Sequence, residues 1–561
     1  MQAPIETSPA HLPLQSLYRW EKEQPHRIYL TQPTGGGNLQ EITWGDAANQ
    51  VRRMAAWLRS QDWPEGSKVA IIGKNSAHWI LADLAIMMAG MVSVPIYPTF
   101  NGEALDYILN HSEAKACFVG KLDDTSNLQT GVPLHIPLIT LPLAPQIQAM
   151  SWQNLIQSTE PLADSPVMEA QSVCTIIYTS GTTGRPKGVV QTFHSMAWAL
   201  SSAMERLPLN REDRLISYLP LAHVAERMLV EQSSLRYGSQ VFFAESLDTF
   251  VQDLRRASPT VFFSVPRLWV KFEQGIHAKI PAKTLAILLS IPLFGWLIKR
   301  KLLKELGLNH CRIAAGGAAP MPAAVLKWYR KLGLDLIEVY GMTENCGVSH
   351  STLPHSDRTG TVGLPYQDIE CRIDPQTGEI QMRSPGLMQC YYKDPGQTAA
   401  AITNDGWLHT GDKGRVDDEG FLTITGRVKD LFKTSKGKYI APAPIEDILV
   451  MHPDIEACCV TGANFAQPFG MVMLSADAAK RSQNADDRQH LGLALRVHLK
   501  NVNAKLEAHE KLDFLVAMHT PWTPENGFVT PTLKVKRPNL EDTYGARYEH
   551  WASQGQPVVW E

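Results

Sequence analysis

The chain is expected to fold as an α/β protein, with a large N-terminal domain of parallel-type sheets covered by helices and a smaller α+β domain at the C-terminus. Three observations lead there. Runs of alternating strand and helix character recur through the first half, a β-branched strand near residue 175 empties into a Gly/Ser/Thr loop, and the stretch from Lys429 to Tyr439 is dense in Lys and Gly. At 561 residues the chain is far longer than one ordinary domain.

Taken in order, Ser67 to Ile96 reads as a strand (KVAIIG), an apolar helix (SAHWILADLAIMMAG) and a second strand (VSVPI) separated by Gly and Pro, which is a βαβ unit. Asn101 to Val119 and Asp248 to Ser264 repeat the helix-then-strand theme. Linkers are expected at 121–171, rich in Pro, Leu and Gln, and at the polar stretch 481–489. A turn at DDEG, Asp417 to Gly420, separates two strand-like runs, and the domain boundary is placed so that residues 1–428 form the first domain and 429–561 the second.

Thr175 to Val190, TIIYTSGTTGRPKGVV, has the makings of a polyphosphate cradle. Thr179, Ser180, Thr182 and Thr183 offer hydroxyl donors, Gly181, Gly184 and Gly188 leave backbone N–H groups open to phosphate oxygens, and Lys187 adds a mobile charge. The spacing excludes a Walker loop, GxxxxGK[ST], because Gly184 follows Gly181 by three and Pro186 precedes the lysine.

YTSGTTGRPKG resembles the signature loop of the adenylate-forming superfamily of acyl-CoA synthetases, peptide-synthetase adenylation domains and luciferase. Further motifs of that family follow in its order: LPLAHVAER from Leu219, AAGGAAP from Ala314, YGMTENCG from Tyr340, GWLHTGDKG from Gly406, GRVKDLFKTSKGKYIAPAPIE from Gly426 and TPTLKVKR from Thr530. The resemblance runs from about Trp44 to about Leu540, and VPRLW (Val265 to Trp269), KGKYIAP and TPTLKVKR are most similar to long-chain fatty acyl-CoA synthetases.

That resemblance implies a ligase that couples a medium- to long-chain fatty acid to CoA through acyl-AMP, using ATP and Mg²⁺. It implies that the 179–188 loop, with Lys187, holds the β- and γ-phosphates, that Glu344 holds Mg²⁺, and that Thr343 meets the α-phosphate. Gly316, Gly317 and Ala318 would pack on adenine, Tyr340 would stack on it beside Gly341, and Asp412 with Arg427 would hold the ribose. Lys534 would approach the attacking carboxylate, in preference to Lys536 because Arg537 follows it by three. His223 and Trp269 would line the acyl pocket, Trp269 as a gate. Lys429 would be the hinge of a mobile C-terminal domain whose Lys436 and Gly437 face the thiol channel. Each has an ordinary alternative: Glu344 and Asp412 as capping or turn residues, Tyr340 and Trp269 as core aromatics, His223 as a packed histidine.

Three positions depart from the family pattern: Ala443 stands where long-chain enzymes usually have Glu, Cys390 where Gly precedes the aromatic pair, and Val270 where an acidic residue follows VPRLW. Ala443 leaves the acceptor open between CoA and a carrier protein. A fatty acyl-AMP ligase or acyl-carrier-protein synthetase is thus the second reading, and a non-catalytic acyl or nucleotide sensor the third.

Composition bounds the rest. A hydrophobic share of 44%, a charged share of 19% and a net charge of -3 fit a globular protein and give no reason to expect nucleic acid as a partner. Eight scattered cysteines without metal-ligand spacing read as thiols of a reducing compartment, and MQAPIETSPAHLPL has no secretion-signal pattern, so a cytoplasmic protein is expected. Thr284 to Ile298, TLAILLSIPLFGWLI, lies between basic residues from Lys279 to Lys304 and is too short to span a bilayer. It reads either as a core helix with snorkelling basic ends, the preferred reading, or as an apolar and basic patch making peripheral contact with the inner face of the membrane.

Overall fold

The computed structural model describes residues 5, 7–179, 185–319, 321–356, 358–530 and 533–561. It divides into two compact units, residues 1–371 with 382–408, and residues 372–381 with 409–561.

The first unit carries three sheets. The largest among the described residues has eight strands, with Val173–Thr179, Val92–Ile96, Lys68–Ile72 and Ala116–Val119 at its centre. The expected βαβ unit is there: Lys68 pairs in parallel with Val92, and the connecting helix Ala77–Met88 is buried along its whole length. A helix hidden on every side cannot show an amphipathic stripe, which is why its sequence is apolar apart from His78 and Asp83. Ser76 starts it by accepting from Trp79 N at 3.2 Å, and Asn101 starts Gly102–Ser112 in the same way on Ala104 N at 2.9 Å. Helix Phe250–Ala257 does carry a stripe, burying Phe250, Asp253, Leu254 and Ala257, and leads into strand Val261–Ser264. That strand opens a five-stranded sheet in which Ile313–Gly317 and Leu336–Tyr340 run parallel to it. The third sheet joins Ile28–Gly35 to Gln240–Phe243.

A buried ion cluster ties these layers together. Arg227 is fully buried and binds Asp83, Glu231 (3.3 Å), Thr175 Oγ1 (2.6 Å) and Ser93 Oγ (3.2 Å). Two carboxylates face one guanidinium here, so burial, and then the Asp83 charge, push the Glu231 carboxyl well above the ordinary range.

In the second unit, a sheet of Ile455–Thr461, Phe469–Leu474, Leu515–Met518 and Val558–Trp560 separates two apolar clusters. Cys458 and Cys459, adjacent in one strand, enter opposite clusters, as pleating requires. All eight cysteines are free thiols. The expected turn at DDEG joins Leu408–Val416 to Leu422–Arg427, with Asp417 accepting from Glu419 N and Phe421 N.

Two expectations fail. Neither linker is one: 121–171 supplies strand Leu138–Thr140, edge strand Met150–Ser151 and helix Trp152–Ser158, and 481–489 runs into helix Ala485–Asn503. Short β-strands with Pro-rich connections have too little periodicity to stand out in sequence. Nor is 284–298 a core helix. It forms a pair, Ala282–Ser290 and Pro292–Glu305, of which only Leu285 and Gly295 are buried. No helix among the described residues is long and apolar enough to cross a membrane.

Candidate active site

Strand Val173–Thr179 returns antiparallel as Lys187–Thr192, with Thr179 opposite Lys187. A Walker loop leads into a helix, so this strand-to-strand connection agrees with its exclusion. Ser180, Gly181, Thr182, Thr183 and Gly184 lie outside the described residues. Lys187 Nζ donates to Gln397 Oε1 at 2.6 Å and stands 5.2 Å from the ring centre of Tyr391.

Tyr391 is the residue that sequence reasoning missed. Its strand, Cys390–Tyr391, extends the large sheet by pairing with Val189 and Val190, and its hydroxyl donates to Glu344 Oε1 at 2.7 Å. Burial, followed by the Glu344 charge, pushes the phenol far above its ordinary pKa, so it stays a donor. Cys390, in the place of the usual Gly, pairs with Val190 without disturbing this strand. The aromatic pair at 391–392 was visible in sequence, but only the sheet register shows which ring meets Glu344.

Glu344 lies in the short 3₁₀ turn Thr343–Asn345, and all three residues are buried. Gln191 fixes the turn by donating to the Thr343 carbonyl at 2.8 Å, and Met388 N donates to the Glu344 carbonyl at 2.7 Å. Gly341 precedes it where no side chain fits: a Cβ would come within 2.2 Å of the Gly347 carbonyl. Lys187, Thr343 and Glu344 are thereby gathered around one polar corner by strand 187–192 and the returning strand 390–391.

Gly316 and Gly317 end a strand of the five-stranded sheet, and Ala318 follows in the left-handed region at φ +65°. A Cβ on Gly317 would meet Val339 O at 2.7 Å, so the backbone runs bare along Leu336–Tyr340. Left-handed backbone at a non-glycine residue costs about 1 kcal/mol and commonly marks a functional loop. Tyr340 closes the neighbouring strand, paired with His350. Trp269 is fully buried, donates to Ala315 O at 3.3 Å and packs edge-on against Tyr329, bracing the Gly316 strand from behind. His223 caps the turn Val224–Glu226 through Nδ1, which accepts from Ala225 N at 3.2 Å.

In the second unit, Asp412 and Arg427 are cross-strand partners, and Arg427 Nε meets Asp412 Oδ1 at 3.0 Å. Lys429 is exposed in the turn after that strand. Lys436 is exposed too, and Gly437, at φ +78°, lets the hairpin Phe432–Lys433 to Tyr439–Ile440 close. Lys534 is exposed and held through its backbone: its N–H donates to Thr530 Oγ1 at 3.0 Å, and its carbonyl accepts from Thr530 N at 2.7 Å. Lys536 differs, since burial lowers its pKa. Arg537 is anchored on Glu446 Oε1 at 2.6 Å and on the Val460 carbonyl, fixing the base of the Lys534 segment.

Comparison with known proteins identifies the family. Residues 17–392 match the AMP-binding enzyme family and residues 429–549 the AMP-binding enzyme C-terminal domain. The chain belongs to the AMP-binding, adenylate-forming enzymes. Among its relatives, long-chain-fatty-acid--CoA ligase FadD15 of Mycobacterium bovis is 30% identical over 583 residues, covering 95% of this chain and 96% of that protein. The peroxisomal long chain acyl-CoA synthetase 6 of Arabidopsis thaliana is also 30% identical, over 91% of this chain and 81% of the other. The adenylation domain of carboxylic acid reductase from Segniliparus rugosus, solved with AMP and a co-purified carboxylic acid, shares the fold at TM-score 0.79 with 20% identity, covering 97% of this chain and 94% of that one.

Proposed function

We propose that this protein is an AMP-forming ligase that activates a medium- to long-chain fatty acid with ATP and transfers the acyl group to CoA. The observation that carries the reading is the polar corner of Lys187, Tyr391 and Glu344, together with the bare strand end at Gly317, which pairs with the strand that leads into the Glu344 turn. A carboxylate is a poor acyl donor because oxide is a poor leaving group. Attack of its oxygen on the α-phosphorus breaks the bond to the β-phosphate oxygen and releases pyrophosphate. The CoA sulfur then attacks the acyl carbon, the bond to AMP breaks, and the thiol proton leaves to solvent.

In this reading the protein contributes position and charge rather than covalent chemistry. Lys187 exchanges its amide partner Gln397 for the β- and γ-phosphates carried by the 179–188 loop, and Thr343 meets the α-phosphate. Gly316, Gly317 and Ala318 take the adenine face with Tyr340 stacked on it, and Asp412 accepts from the ribose hydroxyls while Arg427 holds the same sugar. Among the described residues no cluster of three His, Cys, Asp or Glu could hold a metal alone. One carboxylate, Glu344, suits a Mg²⁺ that arrives on the phosphates, where it would neutralise their charge. Trp269 stiffens the back of the pocket, and His223 forms its wall near the acyl carboxylate.

Lys534 would supply the charge that meets the attacking carboxylate. A pivot at Lys429 would then carry residues 429–561 from the first half-reaction to the second, bringing Lys436 and Gly437 to the thiol. Such a pivot divides the C-terminal compact unit, leaving the strands up to Arg427 behind. A cytoplasmic site of action, with fatty acid taken from the membrane's inner face, belongs to the same proposal. Fatty-acid-dependent exchange of labelled pyrophosphate into ATP tests it: exchange with octanoate through octadecanoate is expected, and its absence with every acid overturns the reading.

A further inference from the structure

The helical pair 282–305 has no part in the reaction above, yet it holds a dense run of exposed apolar side chains. Ile287, Ile291, Leu293, Phe294, Trp296 and Leu297 all stand out to solvent, Leu293 at 82% exposure. Isolated exposed leucines are common, whereas six large apolar side chains on one hairpin tip are not. The two helices form a closed wedge: a Cβ on Gly295 would come within 2.6 Å of the Leu289 carbonyl, so any larger residue would force them apart.

Behind the tip the charge has one sign. Lys279, Lys283, Lys299, Arg300, Lys301 and Lys304 lie in a segment with a single acidic residue, Glu305, in a chain whose net charge is -3. Glu305 is already engaged by Arg255 at 2.6 Å, and the Arg300 guanidinium lies 5.5 Å from the Trp296 ring centre. An apolar tip with Trp and Phe, backed by Lys and Arg, is the pattern of elements that sit at a bilayer surface, with rings at the headgroup level and cations on the phosphates.

We propose that this hairpin docks on an anionic lipid surface, with residues 287–297 entering the headgroup–acyl boundary and the lysines and Arg300 resting on acidic headgroups. Helices of 9 and 14 residues are too short to span the bilayer, so the contact is peripheral. A second copy of the chain fits the face less well, because a two-fold interface would set one basic collar against the other. The docking itself does not rest on the ligase reading.

Sedimentation with vesicles, without ATP, CoA or fatty acid, decides it. The full chain is expected to bind phosphatidylglycerol-rich vesicles at least ~10-fold more tightly than phosphatidylcholine vesicles, with the difference closing at high salt. The variant Leu293→Ser, Phe294→Ser, Trp296→Ser should lose ~100-fold or more, and Lys299→Glu with Lys301→Glu at least ~10-fold, both keeping the wild-type melting temperature and circular dichroism. No binding by the wild-type chain, or undiminished binding by the triple-serine variant, overturns the proposal. So does a wild-type dimer that the triple-serine variant abolishes in the absence of vesicle binding, which would assign the face to a second copy.

Discussion

The Tyr391 hydroxyl donates to Glu344 Oε1 at 2.7 Å across 47 residues of sequence. This bond takes one lone pair of a buried carboxylate and fixes its orientation. A carboxylate so oriented is ready for a hard cation, and its neutral donor cannot compete for the positive charge. Glu344→Gln should lower fatty-acid-dependent pyrophosphate exchange by ~10² or more, and Tyr391→Phe by ~10-fold, partly recovered at high Mg²⁺. A Tyr391→Phe enzyme with unchanged Mg²⁺ dependence would show that the hydrogen bond only packs the strand.

Lys534 and Lys536 separate by environment. Lys534→Ala should slow acyl-AMP formation by ~10² to 10³, the usual loss for one transition-state charge donor, whereas Lys536→Ala should cost less than ~10-fold. Rapid-quench measurement of the first turnover checks both, and a near-normal rate for Lys534→Ala would remove the lysine from the mechanism.

Pivoting at Lys429 predicts a split between half-reactions. Lys429→Pro should leave acyl-AMP formation within a few-fold of wild type and block acyl-CoA formation, because proline restricts both its own φ and the residue before it. Equal loss of both half-reactions in single-turnover assays would place the pivot elsewhere.

The cluster around Arg227 is structural. Arg227→Met leaves Asp83 and Glu231 facing each other in a buried site, and should destabilise the first unit by about 3–5 kcal/mol in urea unfolding. A loss under ~1 kcal/mol would mean that water reaches the carboxylates.

Burial pushes the Glu226 carboxyl up to about 8, against the hydrogen bonds it receives from Ser217 and the backbone of Tyr218 and Leu219. A raised carboxyl pKa means that the folded state keeps a proton which the unfolded chain has released. Its contribution is therefore whole below the unfolded value near 4.5 and is lost as pH rises through about 8. Across that window the wild-type stability should fall more steeply than that of Glu226→Gln, by up to about 1.4 kcal/mol per pH unit. Parallel stability–pH curves for the two proteins would contradict it.

Much of this was legible from the chain alone. The βαβ unit at 67–96 announced itself through Gly and Pro punctuation, and the ordered motifs pointed to the family before any fold was known. The cross-strand pairing of Asp412 with Arg427 was foreshadowed by the DDEG turn between them. Tyr391 and Gln191 were not, because each acts through a partner that only sheet register supplies. The segment 284–298 misled for a different reason: its apolar run is equally suited to a core or to a lipid surface, and periodicity carries no information about what covers a helix.

Both half-reactions should run on a fatty acid. Purified protein should be incubated with MgATP, free CoA and fatty acids from octanoate to octadecanoate, with AMP, ADP, acyl-AMP and acyl-CoA resolved by mass. Acyl-CoA formed in step with AMP, and no ADP, is the predicted result. Acyl-AMP accumulating without acyl-CoA would contradict CoA as the acceptor, and neither product from any acid would contradict the fatty-acid ligase itself.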